Sequence, residues 1–351
     1  MTKSRLFQQK LIKSKKMSIK IQENISFSKY TSFKIGGSAR YFCVAENIAE
    51  IKKALEFAGK NKLKIFILGG GSNILISDEG FDGLAIKIQN SKFKIQNSNI
   101  ICDSGLSLVK IVSESIKNSL TGLEWAVGIP GTVGGAVCNN SGAYGKCMGD
   151  IIKEVEVIEI GKLGNKETGN KKLETGNLKI KKLRNWEIEK LKNKQCQFSY
   201  RESVFKREKK HIIISAILKL KKGNEKESRK KILEYLKSRA EKQPLQYPSA
   251  GSVFRNPILE DKLLKKLIQE NPELENISRN NAIPAGWFVE ALGLKGKKIG
   301  EAMVSEKHGN FIVNAGGAKA EDVVILASLV KQKVRDNFGV QLREEIEYVG
   351  F

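Results

Sequence analysis

The sequence predicts an α+β fold in two parts, on three observations. Residues 18–222 read as short strands with few helices. Residues 223–351 turn to helical periodicity with brief strands between. A polar stretch starting at Lys221, KKGNEKES, separates the two. Ala39–Ala45 (ARYFCVA) reads as a strand, and Asn47 as the N-cap of a helix over Ile48–Asn61, with Ile51, Leu55 and Ala58 on one face. Lys64–Leu68 (KIFIL) is a buried strand that ends in three glycines. The stretch 87–222 is strand-rich, with a helix near Leu106–Asn118. Helical spacing returns at Ile232, Leu233, Leu236 and Ala240, and again over Ala320–Phe338. Trp287 and Phe288 read as core at helical spacing, and Gly309–Asn314 and Glu345–Val349 as short strands.

Two short repeats interrupt the first part. Lys87–Ser91 (KIQNS) recurs at Lys94–Ser98, and Thr168–Leu173 (TGNKKL) half-recurs at Thr175–Leu178. Such short periods do not build a solenoid, so they read as inserted loops or hairpins outside the site. The expected domains are a basic tail over 1–17, subdomains at 18–86 and 87–222 with a low-complexity insert near 161–194, and a C-terminal α+β domain at 223–351.

Composition narrows the classes. The chain has 351 residues, 40% hydrophobic and 28% charged, a soluble globular balance. Its longest apolar stretch, Ile212–Leu218, is far short of the ~20 residues that span a bilayer, so membrane insertion is not expected. The N-terminus is basic without an apolar core, unlike a secretory signal. Five cysteines form no CxxC pair, which favours reduced thiols in the cytoplasm, and two histidines argue against a metal site.

Net charge is +24, unevenly placed: residues 1–17 contribute +6 and residues 161–194 contribute +7. A nucleic-acid-binding protein is one reading of that charge. The basic segments hold just Phe7 and Trp186 as stacking rings, however, so no nucleic-acid partner is expected. Steering of an anionic small substrate suits the excess as well.

Two glycine-dense loops share a chemistry: Leu68–Leu75 (LGGGSNIL) and Gly128–Gly145 (GIPGTVGGAVCNNSGAYG). Glycine lets backbone N–H groups approach a ligand, and successive inward N–H groups cradle a pyrophosphate. Neither loop is followed by Gly-Lys-Ser/Thr, and neither is a GxGxxG opening a helix, which disfavours a P-loop NTPase and a Rossmann NAD site. Each loop alone would be an ordinary tight turn; two of this density are less easily dismissed.

Together with Thr31–Gly37 (TSFKIGG), these loops resemble the FAD-binding part of the UDP-N-acetylenolpyruvoylglucosamine reductases, a fold shared with vanillyl-alcohol-oxidase-like flavoproteins. The resemblance spans roughly residues 18–351. It implies a two-part FAD-binding domain followed by a substrate-binding domain. It implies FAD held by Gly69, Gly70, Gly71, Ser72 and Asn73 from the first loop, and by Pro130, Gly131, Thr132, Gly134, Gly135, Ala136 and Asn140 from the second.

Three further segments match the same family. In Phe198–Lys206 (FSYRESVFK), Arg201 is a fork-shaped cation suited to a carboxylate, and the family pattern makes it the active-site arginine. Lys242–Pro257 (KQPLQYPSAGSVFRNP) carries three of the chain's six prolines, which stiffen a loop before binding. Ser252 there is ordinarily a structural serine, and no recognisable base makes it a nucleophile. A serine can still protonate a carbanion, and in the family pattern Ser252 is the proton donor, with Arg255 and Asn256 facing the substrate. In Val340–Gly350 (VQLREEIEYVG) the terminal pattern makes Glu345, rather than Glu344, the catalytic acid. His308 reads as structural.

The implied activity is NADPH-dependent reduction of UDP-N-acetylglucosamine enolpyruvate to UDP-N-acetylmuramate through FAD, in peptidoglycan precursor synthesis. The choice of NADPH rests on the resemblance alone, and no protein partner is specified. An FAD oxidase or dehydrogenase on the same fold would use the glycine loops but has no need of YRES or SAGSVF.

Overall fold

A computed structural model describes residues 19–160, 178–179 and 188–351. The basic tail at 1–17 and most of the insert near 161–194 lie outside the described residues. The chain forms two compact units. One holds the described residues up to Ser26, then Ser38–Gly70 and Gly80–Ile232; the other holds Phe27–Gly37, Gly71–Glu79 and Leu233–Phe351.

The first unit contains two five-stranded sheets. One runs in the order Ile21–Ser26, Ser38–Ala45, Phe81–Ile88, Lys64–Leu68, Leu178–Lys179. Its three inner strands are parallel and its edges antiparallel. A parallel pair needs a crossover. Helix α1 (Ile48–Lys60) supplies it between Ser38–Ala45 and Lys64–Leu68, and Phe81–Ile88 fills the space between them. Asn47 caps α1 as expected, accepting from the Glu50 N–H at 3.0 Å, while Glu50 accepts from the Glu46 N–H at 2.8 Å. Ile51, Ala54, Leu55 and Ala58 are buried along its inner face.

The second sheet is antiparallel, in the order Ile188–Lys192, Ile152–Glu159, His211–Lys219, Asn99–Asp103, Phe93–Gln96. The second KIQNS copy therefore lies in an edge hairpin, where an insertion disturbs least. Ile158, Ile212 and Ile214 share one core with Ile51, Leu55, Ile65 and Ile86, which joins the two sheets. Helices α2 (Leu108–Lys117), α3 (Val133–Cys138) and α4 (Val204–Glu208) complete the unit's packing. Cys43, Cys102 and Cys196 are buried, and desolvation pushes each thiol up to about 12.

Helix α5 (Glu225–Lys242) forms where helical spacing predicts one, but the predicted face is not core: Leu233 is 67% and Leu236 39% exposed. With so many charged residues over its length, its helicity rests on propensity and pairs such as Glu225–Arg229 at 2.6 Å more than on an apolar stripe.

The second unit has a four-stranded antiparallel sheet in the order Ser249–Ser252, Phe311–Asn314, Ala302–Val304, Lys298–Ile299. Helices α6 (Asp261–Glu270), α7 (Leu274–Ile277), α8 (Ala285–Ala291) and α9 (Ala320–Phe338) surround it. α9 matches its predicted span and buries Val323, Leu326, Ala327, Val330 and Val334. Phe288 is fully buried and meets Phe338 edge-on at 5.3 Å, with Trp287 packed against both. Phe33, Ile35 and Leu75 join this core, so TSFKIGG and the end of the first glycine loop serve the second unit. A parallel pair of Ile74–Ile76 with Glu347–Val349 ties the chain end there. The strand predicted at Gly309–Asn314 starts at Phe311, because the Phe311 N–H turns back onto the His308 carbonyl at 3.1 Å.

Candidate active site

In the first unit, the strand Lys64–Leu68 delivers Gly69 and Gly70 against the second glycine loop. A β-carbon on Gly70 would lie 2.5 Å from the Gly131 α-carbon, closer than any side chain tolerates. The two loops touch because both positions are glycine. The N–H groups of Gly69, Gly70, Gly131 and Thr132 meet no protein acceptor among the described residues. Four such donors on two touching loops form the kind of backbone nest that suits a diphosphate. Pro130 has no N–H of its own and fixes the backbone ahead of Gly131.

Farther into α3 the amides are committed to protein. Gly134 donates to the Ser104 carbonyl at 2.7 Å, Gly135 to Thr132 Oγ1 at 3.3 Å and Ala136 to the Thr132 carbonyl at 2.9 Å. Gly134, Gly135 and Ala136 shape the loop; their amides are not donors to a ligand. Asn140 is buried, and its side chain is engaged at both ends: Nδ2 donates to the Ser199 carbonyl at 2.7 Å, and Oδ1 accepts from the Gly149 N–H at 2.8 Å.

The sequence places Lys87, first residue of the KIQNS repeat, in an inserted loop outside the site, but it lies in the inner strand Phe81–Ile88. Its Nζ donates to the Gly69 carbonyl at 3.2 Å, and burial lowers its pKa from the ordinary lysine value. The available signal was a lone lysine in the apolar strand run GLAIKI. It places positive charge beside the nest.

Arg201 lies at the tip of a tight turn in the same unit. Ser199 and Glu202 exchange backbone hydrogen bonds at 3.1 Å, and Arg201 between them has φ +56°. Its Nη1 donates to the Gly142 carbonyl at 3.0 Å.

The remainder of the first loop belongs to the second unit. Gly71 accepts from the Ser32 N–H at 3.0 Å, and half-buried Ser72 follows. Asn73 Nδ2 donates to the Glu345 carbonyl at 3.2 Å, and its own carbonyl accepts from the Glu347 N–H at 3.0 Å. Asn73 thus fixes the backbone around Glu345.

Ser252 ends the strand Ser249–Ser252, opposite Phe311. Gly251 before it has φ +79°, a conformation that favours glycine and kinks the strand. Buried Asn310 then locks the next two residues: its carbonyl accepts from Val253 N–H at 2.8 Å, and its side chain exchanges hydrogen bonds with the Phe254 backbone at 2.9 and 2.8 Å. The Glu345 N–H donates to the Val253 carbonyl at 2.7 Å, and the Arg255 N–H to the Arg343 carbonyl at 2.9 Å. The pairing centres on the Phe254–Glu344 bridge, so Glu345 lies across from Val253, one residue along from Ser252. Glu344 forms an ion pair with Lys331 of α9 at 2.7 Å, which neutralises it. Asn256 Oδ1 accepts from the Ala285 N–H at 3.0 Å, at the first turn of α8, so one of its polar atoms serves the fold. His308 accepts from the Asn310 N–H through Nδ1 at 3.1 Å, and burial lowers its pKa, as suits a structural imidazole.

Comparison with known proteins follows the same division of the chain. A family model described as "UDP-N-acetylenolpyruvoylglucosamine reductase, C-terminal domain" matches residues 243–349, and one described as "FAD binding domain" matches residues 39–162. The UDP-N-acetylenolpyruvoylglucosamine reductase of Caldanaerobacter subterraneus subsp. tengcongensis is 36% identical over 332 residues, 94% of each chain. That of Anoxybacillus flavithermus is 37% identical with the same coverage. The crystal structure of the Thermus caldophilus enzyme superposes with a TM-score of 0.70 at 28% identity, over 94% of this chain and 99% of that one. The chain belongs to the UDP-N-acetylenolpyruvoylglucosamine reductase family.

Proposed function

We propose that the protein reduces the enolpyruvyl group of UDP-N-acetylglucosamine enolpyruvate to the lactyl ether of UDP-N-acetylmuramate, in the cytoplasm, with NADPH as electron source. The observation that carries this reading is the backbone pairing around the Phe254–Glu344 bridge, which brings Glu345 across from Val253 beside Ser252, in a chain that also carries a backbone nest of main-chain donors. The nest fits FAD: Gly69, Gly70, Gly131 and Thr132 would hold its pyrophosphate through main-chain donors, with the Lys87 cation beside them. FAD, when bound, would supply hydride for the terminal vinyl carbon of the substrate, with NADPH as its reductant.

The side chains handle the charge and the proton. Hydride arrival at the terminal carbon leaves an electron pair on the adjacent carbon, delocalised into the carboxylate as an enolate. Arg201 offers its guanidinium to that carboxylate, and a preorganised donor of this sort is worth about 3 kcal/mol. Glu345 is the acidic side chain that meets the same developing charge. Ser252 Oγ gives its proton to the ether-bearing carbon, completing the methyl–methine product, and water reprotonates the serine. Asn310 fixes the segment after Ser252 on both of its hydrogen-bonding sides, so the backbone that carries the serine is set before substrate arrives. Arg255 and Asn256 follow it in sequence as the groups for the nucleotide-sugar phosphates.

The test is NADPH consumption by the purified, yellow protein with and without the enolpyruvyl nucleotide sugar. The reading predicts consumption that depends on that substrate. Oxygen uptake with an alcohol donor, and indifference to the nucleotide sugar, would replace it with an oxidase.

A further inference from the structure

The turn that carries Arg201 is stitched onto the second glycine loop from several sides. Asn140 Nδ2 holds the Ser199 carbonyl at 2.7 Å, before Arg201. Ser203 Oγ donates to the Cys138 carbonyl at 2.6 Å, after it. Lys206, from the first turns of α4, reaches back with Nζ 2.9 Å from Asn139 Oδ1 and 3.4 Å from the Arg201 carbonyl. Ser203 also caps α4 by accepting from the Lys206 N–H at 3.2 Å, which sets the direction from which Lys206 returns.

Arg201 sits where this turn favours glycine. It is the third of four residues, closed by the reciprocal Ser199–Glu202 bonds, with φ +56°. A left-handed arginine persists where its surroundings impose the conformation, and relaxing it would flip the Tyr200–Arg201 peptide and shift the Arg201 backbone. Lys206 Nζ contacts that carbonyl while anchored on Asn139, the C-cap of α3. We propose that Lys206 is a positioning residue for Arg201: by holding the Arg201 carbonyl it fixes the Arg201 backbone in the conformation that presents the guanidinium, using the second glycine loop as its anchor. Lys206 acts through Arg201, and this inference rests on the role proposed for Arg201 above.

A double-mutant cycle on the FAD-loaded protein tests it, with Lys206→Met, Arg201→Met and the pair. Three quantities are read: turnover of the enolpyruvyl nucleotide sugar, NADPH-driven flavin reduction without that substrate, and FAD affinity by flavin fluorescence. Lys206→Met is expected to slow turnover about 10- to 100-fold, as a misplaced catalytic group does. Flavin reduction and FAD affinity stay near wild type, and Lys206→Met adds nothing further in the Arg201→Met background. Lys206→Gln, which keeps a donor without the charge, recovers part of the loss and stands in for the methionine variant should that misfold. Equal losses in both backgrounds, or a turnover unchanged by either Lys206 variant, overturn the inference. A normal turnover in Arg201→Met alone overturns the role of Arg201 instead.

Discussion

The roles proposed for Ser252 and Glu345 separate from those of their neighbours. Glu344 is tied to Lys331, a partly exposed pair worth no more than about 1 kcal/mol, so Glu344→Gln is expected to leave turnover near wild type. Glu345→Gln should slow it, and steady-state assays of the two variants side by side check the assignment. At the nest, Gly70→Ala drives a β-carbon into Gly131 and parts the loops. Displacing two amides, each worth about 0.5–1.5 kcal/mol, predicts FAD binding weakened by on the order of tenfold or more. Fluorescence titration with FAD measures it, and unchanged affinity would remove the nest from the account.

The roles of Ser252 and Arg201 come from the family pattern, while the glycines of the two loops were legible because backbone conformation restricts their letters. Lys87 and Lys206 were not, because a lysine's importance depends on a carbonyl that only folding brings near it. The spent amide of Gly134 was likewise hidden, since Ser104 accepts it from thirty residues away.

At the scale of elements, long-range caps decide where helices start. The first two amides of α9 donate to the Asp78 carboxylate at 2.9 and 3.0 Å, across more than two hundred residues of sequence. Asp78→Ala should cost about 1 kcal/mol, seen as a lower unfolding midpoint. Glu124 plays a comparable part in the first unit. Burial alone would raise its pKa, but hydrogen bonds from Ser228, Thr121 and the Gly122 N–H outweigh that and hold it below the ordinary 4.5. A depressed folded-state pKa contributes stability above the unfolded value and loses it as pH falls through the folded one. Acid unfolding of the wild type should therefore carry a contribution below pH 4.5 that Glu124→Gln removes; identical acid limbs would contradict this. Periodicity located α1 and α9 well because each has a buried stripe. It misled at α5, where the spacing is helical but Leu233 faces solvent.

For the whole molecule, the sequence motifs divide between units in a way their order did not disclose. The first glycine run is split after Gly70, its latter residues packing with the chain end. Among the described residues no helix is long and apolar enough to cross a membrane. The net charge of +24 bears on encounter with an anionic nucleotide sugar. Electrostatic steering predicts that kcat/KM falls as ionic strength rises past the ~10 Å screening regime near 0.1 M, with kcat nearly constant.

The central chemical claim is that one hydroxyl finishes a reduction the flavin begins. Anaerobic mixing of NADPH-reduced protein with the enolpyruvyl nucleotide sugar, followed at the flavin absorbance, tests it most directly. Ser252→Ala should accept electrons from NADPH at the wild-type rate yet discharge them into the nucleotide sugar about 100- to 10,000-fold more slowly. Discharge at the wild-type rate would contradict the account.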